Sequence, residues 1–146
     1  MKTPFPHPYY FSKKKRFLDL SLSRLLLVIL SPLFLLIALL IKLTCKGPVI
    51  FKQQRAGKDN KPFTIYKFRT MYVGADKDQA KYQSLNISPF PTFKIPDDPR
   101  FVGIGRLLSR ISLDELPQLF NILKGDMSFV GPRPLPLSET KQLPSN

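Results

Sequence analysis

The stretch LLLVILSPLFLLIALLI, Leu25 to Ile41, carries no charge and is interrupted midway by Ser31-Pro32. As one straight helix it would be about 25 Å long, short of a hydrocarbon core of about 30 Å. The preceding FLDLSLS can lengthen it only by taking Asp19 or Arg24 towards an interface. Proline inside a helix removes one hydrogen bond and clashes with the turn before it. The Ser31 hydroxyl can satisfy a freed carbonyl, so a kinked span survives the break. Charge adds a second constraint. Lys13, Lys14, Lys15 and Arg16 flank one end, with Arg24 closer in, and Lys42, Lys46, Lys52 and Arg55 flank the other. Basic flanks favour the cytoplasmic side, and a single span cannot place both there. A helix that enters, breaks at Ser31-Pro32 and returns to the same face satisfies both flanks. The kinked span and the re-entrant helix both remain open on these residues. A signal peptide fits less well, because no small-residue cleavage site follows.

The chain of 146 residues has room for one modest domain, and its formal net charge of +13 calls for an anionic partner. Nucleic acid, anionic lipid and phosphorylated small molecules all suit that charge. The single cysteine, Cys45, excludes an internal disulfide, and the lone histidine, His7 in the leader TPFPHPYYF, excludes multi-histidine metal clusters. The basic residues are scattered and no nucleic-acid motif appears, so a nucleic-acid partner is not expected.

From Gly47 the pattern changes. PVIFKQQR and PFTIYKFRTM alternate, are rich in β-branched and aromatic residues, and flank the turn-rich AGKDNK, which predicts a β-hairpin. On the second strand Phe63, Ile65, Lys67 and Arg69 share one face. Two cations side by side suit a polyphosphate, or else protect a solvated edge. Asp76 to Pro99 reads as a loop with one helical turn. GIGRLLSR lacks the third glycine of a dinucleotide fingerprint, and its Arg106 and Arg110 lie one helical turn apart.

SLDELPQ, Ser112 to Gln118, then sets an aspartate beside a glutamate. Ser112 with Glu115 matches a capping box, and Asp114 could equally be the N-cap with Pro117 in the first turn. Leu116, Leu119, Phe120 and Leu123 predict a short amphipathic helix that runs to Lys124 and stops at Gly125. Acidic residues at a helix start can be structural or catalytic, and both readings stay open here. MSFV, Met127 to Val130, reads as a short strand, and Arg133 is held between Pro132 and Pro134. A guanidinium on so stiff a backbone can bind phosphate with little ordering cost.

FKQQRAG, FTIYKFRTM, DPR, SLDELPQLFNILKGDMSFVGPRP and the Ser-Pro-broken basic helix together resemble the bacterial sugar transferases, monotopic polyprenyl-phosphate phosphoglycosyl transferases. The resemblance covers roughly Lys15 to Pro134. It implies an α+β fold: a small membrane-associated domain with an N-terminal re-entrant helix broken at Ser31 and Pro32, a β-hairpin and short amphipathic helices. It implies transfer of a sugar 1-phosphate from a UDP-sugar to a polyprenyl phosphate of the undecaprenyl type, starting surface polysaccharide or glycoconjugate synthesis. Asp114 matches the family's nucleophile, which forms a covalent aspartyl-phosphosugar intermediate and also meets Mg²⁺. Glu115 matches its catalytic neighbour and Arg133 the phosphate binder of GPRP. Lys67 and Arg69 lie in the KFRTM strand, where they would neutralise substrate phosphate. The resemblance further implies the bacterial inner membrane, with the catalytic part on the cytoplasmic face and Lys15 and Arg16 at the membrane boundary. Membrane lipids, the UDP-sugar and the polyprenyl phosphate are the partners it implies; it leaves the oligomeric state open.

The segments that follow are a basic, Pro-rich leader (1–14), the re-entrant helix (15–46), the catalytic part (47–134) and a polar tail (135–146). Family members continue past GPRP through a PGITG-like turn and further helices, whereas here LPLSETKQLPSN follows. Val102 also stands where a hydroxyl residue often follows DPR. On this reading the catalytic part is incomplete, and the alternative is a catalytically inactive, membrane-bound remnant or a regulatory partner.

Overall fold

In the computed structural model, residues 12–57, 61–89 and 93–137 are described; the Pro-rich leader with His7 and most of the polar tail lie outside them. The apolar stretch forms two helices, α1 (Lys13–Ile29) and α2 (Ser31–Thr44), bent by 61° where they meet. The break is where the sequence puts it. Pro32 falls in the first turn of α2, where a missing N–H costs little, and the Ser31 hydroxyl donates to the Val28 carbonyl at 2.8 Å. No single helix among the described residues is long and apolar enough to cross a membrane, and the bent pair passes that test only together.

α1 is inverted relative to a water-soluble helix. Its buried residues are Lys15, Asp19 and Ser23, while Phe17, Leu25, Val28 and Ile29 are more than half exposed. The polar side chains at i, i+4 and i+8 form one stripe, and that stripe faces the protein. Asp19, which a longer helix would have to bury, is compensated there. Lys15 pairs with it at 3.1 Å, the Ser128 hydroxyl donates to it at 2.7 Å, and Lys15 also donates to Ser128. α2 buries Ile37 and Ile41 and exposes Leu35, Leu36, Leu39 and Leu43.

The hairpin forms as read. β1 (Ile50–Ala56) pairs antiparallel with β2 (Pro62–Phe68), in a register that sets Phe51 opposite Lys67 and Gln53 opposite Ile65. Both faces of β2 are covered: Ile65 is 3 % exposed and Phe68 2 %, the latter packed against the Phe34 ring of α2 with centroids 5.4 Å apart and planes tilted by 58°. Phe68 joins Ile37, Ile41, Cys45 and Leu108 in the core. Cys45 is a buried free thiol.

The segment 76–99 carries a 3₁₀ helix, Gln79–Leu85, with residues 90–92 outside the described set. It is tied down by Arg100, 5 % exposed, which takes both oxygens of the buried Asp98 at 2.8 and 2.5 Å and donates to the Ala75 carbonyl. Next come α3 (Gly105–Arg110), a 3₁₀ turn (Leu113–Glu115) and α4 (Gln118–Lys124). Gly105 is required for packing, since a Cβ there would collide with the Thr70 carbonyl. On the surface of α3, Arg106 pairs with Asp97 at 3.5 Å, both exposed.

Two local expectations are corrected. Met127 to Val130 is not a strand. The outer edge of β2 is occupied by Asn121, and that of β1 by a bond from Ala56 N–H to the Leu135 carbonyl and a bridge from Arg55 to Pro136, so MSFV finds no edge to pair with. Nor does Ser112 form a capping box. It sits at φ 59° with no side-chain cap bond, and its N–H bonds the Ser109 carbonyl at 3.3 Å. Ser112 is the left-handed residue that follows α3, and its carbonyl opens the 3₁₀ turn by accepting the Glu115 N–H at 3.2 Å while its hydroxyl caps nothing there.

Candidate active site

Asp114 and Glu115 sit in the 3₁₀ turn just ahead of α4, not in the first turn of an α-helix as the spacing suggested. The turn holds both backbones rigidly, since Pro117 follows at the N-cap of α4 and Ser112 precedes in the left-handed region. The two carboxylates then meet different surroundings. Asp114 is 7 % exposed, and Lys67 approaches it to 3.7 Å, beyond hydrogen-bond reach. Glu115 accepts from Lys67 at 2.7 Å and from Arg133 at 2.9 Å on the same oxygen.

Their acidities separate accordingly. Burial raises the Asp114 carboxyl above its ordinary value, and the Lys67 charge only partly opposes this. Burial also pushes on Glu115, but the hydrogen bond and charge of Lys67, joined by Arg133, outweigh it and hold Glu115 below the usual range. Neighbouring carboxylates driven apart in this way suit different roles, one staying ionised and the other able to exchange a proton or act as a nucleophile.

Lys67 reaches the carboxylates because β2 is fixed against α4 by one buried side chain. Asn121, 0 % exposed, accepts from Tyr66 N–H at 3.0 Å and donates to the Thr64 carbonyl at 2.6 Å. Those are the outward groups of β2, so the amide takes the place of a neighbouring strand. The sequence reading missed Asn121. Its only trace was a polar residue inside the run Leu119 to Leu123.

The other anticipated residues divide. Arg133, its side chain 75 % exposed, meets Glu115 as just described, and Arg55 donates to the Pro134 carbonyl at 3.0 Å to hold that segment. Arg69 does not join the carboxylates. β2 ends at Phe68, and the Arg69 guanidinium bonds the Pro48 carbonyl at 2.6 Å and lies 5.9 Å from the Phe51 ring. It shares a cavity with Lys67 and Asp114 all the same. Ser31 and Pro32 form the bend. Lys15 and Arg16, read from sequence as boundary charges, both have internal partners: Lys15 the Asp19 pair, and Arg16 the Ile122 and Leu123 carbonyls at 2.5 and 2.7 Å. Arg16 thereby caps the C-terminal end of α4, where a cation also suits the helix dipole.

No group of three or more His, Cys, Asp or Glu side chains poised for a metal occurs among the described residues. A hard cation that takes one or two carboxylates and completes its shell with substrate phosphate needs no such group, and the Asp114 carboxylate, which Lys67 approaches only to 3.7 Å, fits that use.

A family model described as Bacterial sugar transferase matches residues 10–146. An undecaprenyl-phosphate glucose phosphotransferase of Komagataeibacter xylinus is 49 % identical over 122 residues, covering 83 % of this chain and 21 % of the relative. A UDP-glucose:undecaprenyl-phosphate glucose-1-phosphate transferase of Klebsiella pneumoniae is 44 % identical over 128 residues, covering 88 % and 25 %. The exopolysaccharide production protein ExoY of Sinorhizobium fredii is 41 % identical over 125 residues, covering 83 % and 55 %. The chain thus spans a fifth to a quarter of the first two relatives and about half of the third. The family match and these identities agree, and the chain belongs to the bacterial sugar transferase family.

Proposed function

We propose that this chain transfers a sugar 1-phosphate from a UDP-sugar to a polyprenyl phosphate, the first step in building a surface polysaccharide or glycoconjugate. The observation that carries the reading is the split pair: a buried Asp114 whose pKa is raised by burial beside a Glu115 held ionised by Lys67 and Arg133. An Asp114 oxygen attacks the β-phosphorus, the bond from that phosphorus to the bridging oxygen breaks, and UMP leaves. The enzyme then holds the sugar phosphate as an acyl phosphate. A phosphate oxygen of the polyprenyl phosphate attacks the same phosphorus, the Asp114–phosphorus bond breaks, and polyprenyl diphosphate sugar departs with the carboxylate restored. Lys67 and Arg133 neutralise the phosphates, and Glu115 keeps both cations oriented between turnovers. Mg²⁺ held by Asp114 and the diphosphate would supply further charge neutralisation on the phosphoryl oxygens.

The exposed apolar faces of α1 and α2 support a membrane-embedded bent pair, since so much contiguous apolar surface needs a lipid or protein cover. On this reading both ends of the pair face the cytoplasm, so single cysteines placed at Lys13 and Lys46 in a Cys45→Ser background would both resist an impermeant maleimide added to intact cells. Labelling of one of them alone would establish a span.

The transfer reading is tested by intact-protein mass spectrometry of the chain in nanodiscs with Mg²⁺ and a panel of UDP-sugars. A sugar-phosphate adduct on the wild type, absent from Asp114→Asn, is the expected result and identifies the sugar. A folded wild type that gains no adduct from any donor refutes the reading, and an inactive membrane-bound partner takes its place.

A further inference from the structure

Lys67 lines two cavities. The smaller, about 310 Å³, includes Asp114 together with Arg69, Arg100 and the rings of Phe51 and Tyr72. None of its lining comes from α1 or α2. The larger, about 470 Å³, includes Glu115 and Arg133, and much of its remaining wall is apolar: Leu26 and Leu30 at the C-terminal end of α1, with Leu119, Met127 and Phe129.

We infer that the larger cavity receives the acceptor, its phosphate monoester on Lys67 and Arg133 and its first isoprene units along Leu26 and Leu30, while the nucleotide of the donor occupies the smaller cavity. This rests on the transfer reading and adds where each substrate enters. Three observations support it. The lining matches an amphiphile, a linked set of Lys67, Glu115 and Arg133 beside an apolar wall. That wall belongs to the helix whose other side chains, Leu25, Val28 and Ile29, are exposed and apolar, so a chain lying against it reaches lipid along one continuous apolar surface. The third observation is Lys67 itself. In two successive in-line displacements at one phosphorus, the departing UMP and the incoming acceptor phosphate both stand opposite the Asp114 oxygen. They use one phosphate position in turn, while base and isoprenoid tail need separate room. A cation common to both cavities provides that shared position.

A competing place exists. An apolar groove between Val49, Ile50 and Phe120, with Lys52 and Lys124 beside it, includes neither carboxylate. The test uses the full chain in nanodiscs and a benzophenone-bearing isoprenyl phosphate, with labelled peptides mapped by mass spectrometry. The expected label falls on Leu26–Leu30 or Met127–Phe129, is displaced by undecaprenyl phosphate and is not displaced by undecaprenol. Label centred on Val49, Ile50 or Phe120, or label indifferent to the phosphate, overturns the assignment. Steady-state kinetics supply the second arm. Leu30→Trp should raise the KM for undecaprenyl phosphate at least tenfold more than the KM for the UDP-sugar, while Leu22→Trp, on the same helix and outside the cavity, should change neither. Equal changes in the two constants for Leu30→Trp overturn the assignment. Photolabelling needs no turnover, so phosphate-dependent label at the expected peptides in a chain that forms no adduct would refute the transfer reading alone. Turnover with label elsewhere would refute the cavity assignment alone.

Discussion

Replacing Asn121 should uncouple the strand that carries Lys67 from the turn that carries the carboxylates. The side chain is fully buried and satisfies Tyr66 N–H and the Thr64 carbonyl, with Asp126 as a third partner at 3.2 Å. In Asn121→Leu both backbone groups lose their partner in a place water does not reach. Each such orphan costs about 1–3 kcal/mol, so the pair is expected to cost about 2–6 kcal/mol, with the added leucine surface recovering only part. At roughly 4 °C per kcal/mol for a domain of this size, Tm falls by about 8–24 °C. Asn121→Asp is the discriminating variant. One oxygen can still accept from Tyr66 N–H, but the other then faces the Thr64 carbonyl and Asp126. The ionised form is repelled, so the folded-state pKa of the new acid lies above its unfolded value. Stability is then greatest at low pH, where a protonated oxygen can donate to Thr64, and is lost as pH rises through the folded pKa. Melts of wild type, Asn121→Leu and Asn121→Asp from pH 4 to 8, followed by circular dichroism, measure this. A loss under about 1 kcal/mol for Asn121→Leu, or an Asn121→Asp deficit that does not grow with pH, would refute the bridging role.

Two further outcomes follow from the buried charges. Burial raises Asp114, so its folded carboxyl binds a proton more tightly than the unfolded one; that contribution is intact below the unfolded value of 3.8 and is lost as pH rises through the folded pKa. Asp114→Asn should therefore raise Tm at pH 7 and lose that advantage near pH 3.5, and an unchanged or lower Tm at pH 7 would refute the desolvated environment. For Asp98, burial pushes up but the Arg100 bonds prevail and hold it below the usual range, so its contribution is present above pH 3.8 and disappears as pH falls through the lower folded value. Asp98→Asn should cost about 3–5 kcal/mol at pH 7 by leaving Arg100 buried and unpaired, and denaturant melts giving less than about 1 kcal/mol would contradict the pairing.

Local pattern carried much of the architecture. The alternation in PVIFKQQR and PFTIYKFRTM became β1 and β2, Gly125 ends α4 at φ 95°, and Ser31-Pro32 breaks the apolar run where proline must. These features depend on neighbours in the chain. What the sequence concealed depends on distant partners. Asn121 looks like a flaw in an amphipathic helix until Thr64 and Tyr66, more than fifty residues earlier, are placed beside it. Lys15 and Arg16 look like surface charges until α4 and Ser128 arrive. Ser112 reads as a side-chain cap from its spacing to Glu115, and only the left-handed turn it takes after α3 leaves its hydroxyl without that role. At the candidate site, Asp114, Glu115, Lys67 and Arg133 were legible as a set through family resemblance, and geometry separated Arg69 from them.

The inverted helix α1 also dictates an order of assembly. During synthesis its polar stripe emerges before its partners: Arg16 waits 106 residues for the Ile122 carbonyl and Asp19 waits 109 for Ser128. Contacts of such long sequence separation form late, after a large loop has been closed. Until then a helix with apolar side chains outward and charges inward suits neither water nor a finished protein. α1 is thus made well before it can be completed, and a folding chain is most exposed to aggregation or degradation in the interval before Ile122, Leu123 and Ser128 arrive to pair with it.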